Sequence, residues 1–345
     1  MKQKHITILL SGLLALSVVL NIVLCTLLAI SLSRNQAEAT LSTTPSGTDS
    51  ATVPTDPTDP SETQPPTEAD PTDPPATTPD PTDPPSTEPP PTDPPATEPD
   101  TLYTRAQLEA LENKTKGYGP GNTSGGKRAP YAQDNQKTYG DYAAHFIAPD
   151  NGNIYLTFDC GYEYFIKDEN GKDVALTALI LDTLKEKNVK AVFFVTMSYC
   201  QRNPDLVRRM INEGHTVGNH SNSHPSMPSL TIDKMEEEIT SLHTYVQENF
   251  DYTMTLFRPP MGEFSTRSLA VTQNLGYESV FWSFAYADWD TENQPDSDAA
   301  YEKIVGSAHS GAIYLLHAVS ETNTNLLGDV IDAFRAEGYD LVLFG

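Results

Sequence analysis

Residues 154–163, IYLTFDCGYE, contain the pattern that decides the fold: a short apolar run that ends directly in a carboxylate and a glycine turn. A run of this length and composition predicts a buried strand, and the amphipathic segment at 174–187 predicts a helix. The same order continues to the end of the chain. Further strands are predicted at 191–195, 216–218, 253–257, 278–282, 312–316 and 340–344, and further helices at 204–214, 231–249, 265–275, 298–309 and 326–337.

Strands that alternate with helices predict the α/β class, in which helices cover a parallel sheet. Seven such strands predict a distorted (β/α)7 barrel related to the TIM barrel. An open, doubly wound sheet is the alternative. The first strand-to-helix turn does not favour that alternative, because the turn lacks a Gly-rich phosphate-binding loop.

An uncharged apolar stretch at residues 6–32 precedes this region. At about 1.5 Å per residue it is long enough to cross a hydrocarbon layer of ~30 Å, so we expect a transmembrane anchor within residues 1–34. Two lysines precede the span and one arginine closely follows it, which favours a short cytoplasmic tail and an extracellular remainder in the cell wall. The alternative is a signal peptide cleaved near Ala39, which would make the protein secreted.

Residues 35–100 have the composition of a disordered linker, with 14 acidic residues, 19 prolines and no Lys or Arg. Proline restricts the backbone and like charges repel, so the segment favours extended polyproline II over a packed core. Its stretched length is roughly 200 Å at about 3.1 Å per residue. Such a linker suits a domain held away from a membrane, inside a wall.

The charge and the remaining composition limit the partners. The formal net charge is −25, of which −14 lies in residues 101–345, and binding to nucleic-acid phosphates needs a basic surface. We therefore expect no nucleic-acid partner, and the sequence does not define the oligomeric state. Residues 101–150 are polar, with one predicted helix at 105–114. We interpret them as an irregular lead-in that packs onto a catalytic domain at 151–345.

The side chains suited to hydrolysis all follow predicted strand ends. Asp159 follows the first strand, His220 and His224 the third, Arg258 the fourth, Asp288 the fifth and His317 the sixth. In a parallel barrel these ends share one face, where the loops build the active site. We therefore expect the six side chains to converge.

The two histidines of HSNSH (220–224) have i, i+4 spacing, which on a helical turn places both imidazoles within reach of a single cation. Surface or capping histidines are the simpler interpretation. The position after a strand, with a carboxylate nearby, favours the metal site.

The other polar residues suit acid–base chemistry. Asp159 suits a general base, and Arg258, ahead of two prolines, suits a bidentate grip on a carboxylate. Asp288 suits a group that orients His317 and raises its pKa, so that the imidazolium protonates a leaving amine. The simpler interpretations are a turn cap for Asp159, a surface salt bridge for Arg258 and one acid among several for Asp288.

Five segments in this order resemble the polysaccharide deacetylase (NodB-homology) family, carbohydrate esterase family 4, over about residues 150–345. They are FDCGYE (158–163), HSNSHP (220–225), RPPMGEFS (258–265), FWSFAYADWD (281–290) and LLHAVS (315–320). The likeness is strongest to the delta-lactam-biosynthetic branch, which deacetylates muramic acid. The resemblance implies that Asp159 is the base, that His220 and His224 bind a metal, and that Arg258 orients the base. It also implies that Asp288 tunes His317.

The resemblance further implies that the Met261 N–H stabilises an oxyanion and that Trp289 and Leu315 line a pocket for the acetyl methyl group. The expected enzyme removes N-acetyl groups from amino sugars of peptidoglycan, above all from peptide-stripped N-acetylmuramic acid. Alternative substrates are N-acetylglucosamine in peptidoglycan and chitin-type oligomers. A non-catalytic wall-glycan-binding protein and a glycosidase are the competing classes, although a glycosidase needs paired carboxylates and has no use for the histidine pair.

Cys160 departs from the family pattern, which usually has an aspartate there as the third metal ligand. A thiolate with two imidazoles favours zinc, and Mn, Co and Mg are the alternatives. Cys160 is therefore a candidate ligand. The other interpretations are a protonated neighbour that binds no metal and a disulfide with Cys200.

Overall fold

The computed structural model describes residues 102–119 and 124–345. The predicted membrane span at 6–32 and the predicted linker at 35–100 lie outside these residues. Among the helices that the two described ranges contain, none combines the length and the apolar composition that a membrane crossing requires.

The described residues form one large parallel sheet and two small antiparallel strand pairs. The strands are β1 (Lys116–Gly117), β2 (Ala144–His145), β3 (Asn153–Cys160), β4 (Phe165–Lys167), β5 (Asp173–Ala175), β6 (Val192–Val195), β7 (Thr216–Asn219), β8 (Leu256–Phe257), β9 (Glu263–Phe264), β10 (Glu278–Val280), β11 (Ala312–His317) and β12 (Asp340–Leu341). The large sheet has the order β11–β3–β6–β7–β8–β10–β2, and β12 also pairs with β3. The antiparallel pairs are β1 with β9 and β4 with β5.

The large sheet is curled, and the chain beyond β10 bonds to β11. The Ser283 N–H donates to Ile313 O at 2.9 Å, and the Leu315 N–H donates to Phe284 O at 2.9 Å. The fold is therefore a curled half-barrel of parallel strands with helices outside. This architecture is consistent with the predicted (β/α)7 type.

Local sequence signals set the bounds of the helices. The helices are α1 (Arg105–Ala110), α2 (Pro130–Tyr139), α3 (Leu176–Glu186), α4 (Met197–Arg202), α5 (Pro204–Asn212), α6 (Ile232–Phe250), α7 (Thr266–Asn274), α8 (Ser297–Gly306) and α9 (Glu321–Ala336). Pro204 opens α5, and the Thr231 side chain caps α6 by accepting from the Lys234 N–H. Asp251, in the left-handed conformation, ends α6.

The two faces of the sheet bury two hydrophobic clusters. Alternation along β6 divides its residues, because Phe193 and Val195 join the cluster under the helices. Val192 and Phe194 join the second cluster, on the opposite face, which includes aromatic side chains of the lead-in. The strand ends of the site thus rest on a sheet that is packed on both sides.

The lead-in contains more regular structure than the sequence indicated. Helix α1 ends at Ala110 rather than at 114, because Leu111 has an extended backbone (φ −70°, ψ 148°). Helix α2 and strand β2 were not predicted, and β2 pairs in parallel with β10. Outside the lead-in, helix α4 and the β4–β5 hairpin were also not predicted. The lead-in therefore supplies an edge strand of the large sheet.

Candidate active site

Two of the predicted residues lie opposite each other on neighbouring strands. Strands β3 and β11 pair in parallel register, and Asp159 is the direct partner of His317 where both strands end. Both side chains line the same cleft. A carboxylate and an imidazole thus face one space from a rigid part of the sheet.

Arg258 holds the carboxylate of Asp159 from the buried side, away from the cleft. Its side chain is fully buried, and Nη1 donates to Asp159 Oδ1 at 2.8 Å. Nε donates to Val280 O at 3.0 Å, Nη2 donates to Phe281 O at 3.2 Å, and Cζ lies 4.1 Å from the centre of the Phe194 ring. The guanidinium makes one bond to the carboxylate rather than the bidentate pair expected. Burial alone would raise the pKa of Asp159, but the charge of Arg258 holds that pKa below its ordinary value.

His220 faces the other oxygen of Asp159. Its Nδ1 lies 2.9 Å from Arg258 O, and because a carbonyl oxygen only accepts, Nδ1 donates and Nε2 carries the lone pair. Nε2 lies 3.5 Å from Asp159 Oδ2. Burial lowers the pKa of His220 to about 4, so the ring is neutral. His220 Nε2 and Asp159 Oδ2 are therefore two hydrogen-bond acceptors that face each other with no proton between them.

His224 approaches His220 through a loop and not through a helical turn. Ser221 and His224 have left-handed backbones, with φ of 68° and 60°. The His224 N–H donates to Ser221 Oγ at 2.9 Å, and the two imidazole centres lie 4.7 Å apart. The helical interpretation of HSNSH was wrong. Strand β7 ends at Asn219, and the chain then turns at Ser221 and His224 instead of forming a helix. The spacing still brings the two rings together.

The chemistry of these donors fits a divalent cation. Neutral imidazoles are good ligands of such ions, and a cation beside His220 Nε2 and Asp159 Oδ2 would satisfy two acceptors that otherwise face each other. Within the described residues, no three His, Cys, Asp or Glu side chains are already arranged as a set of metal ligands. The residues that would hold the ion are His220 and His224.

The structure does not place Cys160 with these histidines. Its side chain is fully buried in the cluster under the helices and does not line the cleft. Because successive strand residues point to opposite faces, Asp159 faces the cleft while Cys160 faces the core. Burial raises the pKa of the Cys160 thiol well above its ordinary value, so the thiol is protonated. Cys160 and Cys200 are both free, so the structure contains no disulfide between them.

Asp288 orients His317 from behind the cleft. Its fully buried carboxylate accepts from His317 Nδ1 at 2.7 Å and from the His317 N–H at 2.9 Å. Asn323 Nδ2 also donates to Asp288, at 2.5 Å. Burial alone would lower the pKa of His317, but the charge of Asp288 raises it above its ordinary value. The bond at Nδ1 leaves Nε2 as the ring nitrogen that can exchange a proton in the cleft.

The cleft has a volume of about 1140 Å³. Of the predicted site residues, Asp159, His220, His224, Met261, Trp289, Leu315 and His317 line it. Arg258 and Asp288 are fully buried and act on the cleft through Asp159 and His317. The Trp289 ring is half-exposed and contacts His317 edge-on, with ring centres 5.9 Å apart.

The turn at 260–262 places Met261 at the wall of the cleft. Met261 has a left-handed backbone (φ 58°, ψ 7°), and Gly262 follows with φ 66°. A Cβ at Gly262 would lie 2.8 Å from Trp282 Cη2 and 3.0 Å from Tyr118 O. Only glycine therefore fits this position without displacing the walls of the cleft.

Tyr118 and Asn323 contribute to the site, and the sequence predicted neither. Tyr118, in the lead-in, lines the cleft, and its hydroxyl donates to Trp282 O at 2.6 Å. Asn323 supports Asp288, and its own N–H donates to Ser320 Oγ at 3.1 Å. The only sequence signal at Asn323 is the helix start at Ser320, which does not indicate a site. Tyr118 has no signal, because its role depends on a contact across 164 residues.

Comparisons with known proteins place this chain among polysaccharide deacetylases. Residues 147–280 match the family model described as polysaccharide deacetylase. An uncharacterized 30.6 kDa protein of Geobacillus stearothermophilus is 43% identical over 200 residues, covering 57% of this chain and 72% of that protein. Peptidoglycan-N-acetylmuramic acid deacetylase PdaA of Bacillus subtilis is 42% identical over 187 residues, covering 54% of this chain and 67% of PdaA. The structure of PdaA, a family 4 carbohydrate esterase, matches with a TM-score of 0.61 and 35% identity, covering 68% of this chain and 96% of that chain.

The half-barrel with a carboxylate, imidazoles and a buried arginine at its strand ends defines a hydrolase of the α/β class. More particularly, the chain belongs to the polysaccharide deacetylase family, carbohydrate esterase family 4. It is therefore an enzyme that acts on amide bonds of polysaccharides.

Proposed function

We propose that this enzyme removes N-acetyl groups from amino sugars of peptidoglycan and that its preferred substrate is peptide-stripped N-acetylmuramic acid. The observation that carries the proposal is the pairing of Asp159 with His317 across one cleft. The substrate class follows the similarity to PdaA, which is described as a peptidoglycan-N-acetylmuramic acid deacetylase. The sequence likeness to the delta-lactam branch supports the same choice.

Asp159 acts as the general base. Arg258 keeps its carboxylate ionised and fixed, so that it accepts a proton from the water that attacks the acetyl carbon. The water oxygen forms a bond to that carbon, and the carbonyl oxygen becomes an oxyanion. The Met261 N–H, on the turn at 260–262, donates to this oxyanion.

His317 acts as the general acid. Asp288 holds Nδ1 and favours the imidazolium, so that Nε2 donates a proton to the sugar nitrogen as the C–N bond breaks. The products are acetate and a free amine. Leu315 and Trp289 line the cleft beside His317 and enclose the acetyl methyl group.

His220 and His224 would hold the divalent cation, with zinc as the first choice. When bound, the cation supplies Lewis acidity that polarises the carbonyl and lowers the pKa of water. The bond from His220 Nδ1 to Arg258 O fixes the ring so that Nε2 is free to bind the ion.

Acetate release from the full chain tests the proposal. Asp159→Asn and His317→Ala each abolish release from amidase-treated peptidoglycan, whereas Asp205→Asn, an exposed change on α5, leaves release unchanged. Thermal unfolding shows whether each variant is folded. Near-normal turnover in folded Asp159→Asn or His317→Ala would disprove the assigned roles.

Comparison of substrates tests the preferred sugar. The enzyme is incubated with intact and with amidase-treated peptidoglycan, with and without Zn²⁺, and the muropeptides are analysed for lost acetyl groups. Loss from muramic acid in the treated wall is the expected result. Loss only from glucosamine would favour the alternative substrate, and tight binding without any acetate release would favour the non-catalytic alternative.

The cellular location is also part of the proposal: a single membrane anchor at 6–32, with the enzyme outside the cell. It is supported by the uncharged apolar stretch and by the acidic, proline-rich segment that follows. Mass spectrometry of the protein from membrane and medium fractions decides it. A product that begins near residue 40 in the medium would establish the cleaved alternative.

A further inference from the structure

The segment 220–224, called here the His224 loop, has an unfavourable backbone. Both Ser221 and His224 are left-handed, and neither is a glycine. Such conformations persist only where surrounding contacts hold them. The bond from the His224 N–H to Ser221 Oγ lies within the loop, so it does not fix the loop to the rest of the protein.

His220, at the start of the loop, donates from its N–H to Val195 O and from Nδ1 to Arg258 O, both at strand ends. The contacts that hold Asn222 and Ser223, in the middle of the loop, come from one residue of helix α6. Glu238 Oε2 accepts from the Ser223 N–H at 2.7 Å, and Oε1 accepts from Ser223 Oγ at 2.5 Å. The Glu238 backbone oxygen accepts from the Asn222 N–H at 2.9 Å. At the next position, Ile239 O accepts from Asn219 Nδ2 at 2.8 Å. The helix therefore holds the end of β7 and the middle of the loop together.

We infer that Glu238 is a positioning residue that fixes the His224 loop and thereby sets the affinity of the His220–His224 pair for a divalent cation. The inference rests on the proposed function in one respect, because it takes these histidines as the cation site. Glu238 acts through Ser223 and Asn222 and touches neither the substrate nor the reacting atoms. Its two carboxylate oxygens accept from the backbone N–H and from the side-chain hydroxyl of Ser223. The loop is therefore held at two points, and it cannot pivot about either hydrogen bond alone.

Calorimetric titration of the full chain with Zn²⁺ tests this role without reference to deacetylation. Glu238→Ala removes both carboxylate bonds, and residues that support metal ligands typically change affinity 10- to 100-fold, so we expect Kd to rise roughly 10- to 100-fold. Glu238→Gln and Ser223→Ala each keep part of the contact and give intermediate increases. At saturating Zn²⁺, the turnover of Glu238→Gln returns close to that of the parent, because the ligands and the catalytic residues are intact.

Glu237→Ala is the matched control. Glu237 is the preceding residue of α6, is exposed and pairs with Lys234, so its loss removes the same charge without touching the loop. Its Zn²⁺ affinity stays at the parent value. Equal affinities of the Glu238 variants and Glu237→Ala would overturn the inference, as would a parent that binds no Zn²⁺. If Glu238→Ala does not fold, Glu238→Gln and Ser223→Ala decide the question. Deacetylation by Asp159 and His317 is judged separately by acetate release, so the two proposals can fail independently.

Discussion

At the scale of the residue, the buried carboxylate of Asp288 governs the proton on His317. Three donors converge on it: the His317 ring, the His317 backbone N–H and the Asn323 amide. Burial would lower the pKa of His317, but the carboxylate of Asp288 favours the imidazolium and raises that pKa.

Replacement of Asp288 by Asn therefore lowers the pKa of His317. The imidazolium is then lost at a lower pH, so the alkaline limb of the kcat/KM profile moves to lower pH. We expect turnover at neutral pH to fall by about 100-fold, within the usual range for general acid–base catalysis. The measurement is acetate release as a function of pH. An alkaline limb that stays in place would show that His317 is not the acid.

The sequence was sufficient to locate the main polar residues, because each lies at or after the end of a strand, and the ends of parallel strands meet at one edge of the sheet. It could not locate Asn323 or Glu238. Both act through hydrogen bonds to a residue or loop at the cleft, and such contacts leave no spacing pattern. The role of Cys160 could not be assigned from the sequence either. A metal ligand and a core thiol differ only in the direction of the side chain, which the structure shows.

At the scale of the element, the Phe194 ring on β6 lies over Gly218 of β7, so that a side chain at Gly218 has no room. A Cβ there would lie 2.5 Å from Phe194 Cδ1. The Phe194 ring also packs against the guanidinium of Arg258, whose Nη1 holds Asp159. The absence of a side chain at Gly218 is thus coupled, through Phe194 and Arg258, to the position of the base.

Gly218→Ala is expected to displace the Phe194 ring and, with it, Arg258. We expect a loss of about 1–3 kcal/mol in the free energy of unfolding, as for other overpacked cores, together with reduced kcat. Chemical denaturation and acetate release measure the two effects. Gly306→Ala, where an added Cβ meets nothing within 4 Å, is the control. Equal behaviour of the two variants would contradict the coupling.

Long elements were predictable from periodicity, and short or polar ones were not. Helix α6 was expected at 231–249 and spans Ile232–Phe250, because its apolar positions recur at helical spacing. Helix α2 is mostly polar, and β2 has two residues, so neither gives a clear pattern. Their conformation depends on tertiary contacts, such as the stacking of Phe146 on Phe281 with ring centres 4.2 Å apart.

At the scale of the whole molecule, the lead-in belongs to the folded enzyme. Strand β2 extends the large sheet, Phe146 stacks in the second hydrophobic cluster, and Tyr118 forms part of the cleft wall. The family match begins only at residue 147, so these contributions lie outside it.

A chain that begins at residue 147 is therefore expected to unfold at a clearly lower temperature than one that begins at residue 102. Removal of a single buried aromatic side chain typically costs about 3–5 kcal/mol, and this truncation removes several. Thermal unfolding followed by circular dichroism makes the comparison. Equal midpoints for the two chains would show that the lead-in is dispensable.

The pairing of β3 with β11 has a consequence for how this enzyme can change. Neighbouring strands in any sheet lie about 4.8 Å apart, so backbone hydrogen bonds set the distance between the attachment points of Asp159 and His317. Loops around the cleft can be lengthened or replaced, in nature or by engineering, without altering that distance. New sugar specificities can therefore evolve while the backbone separation of the base and the acid is inherited unchanged.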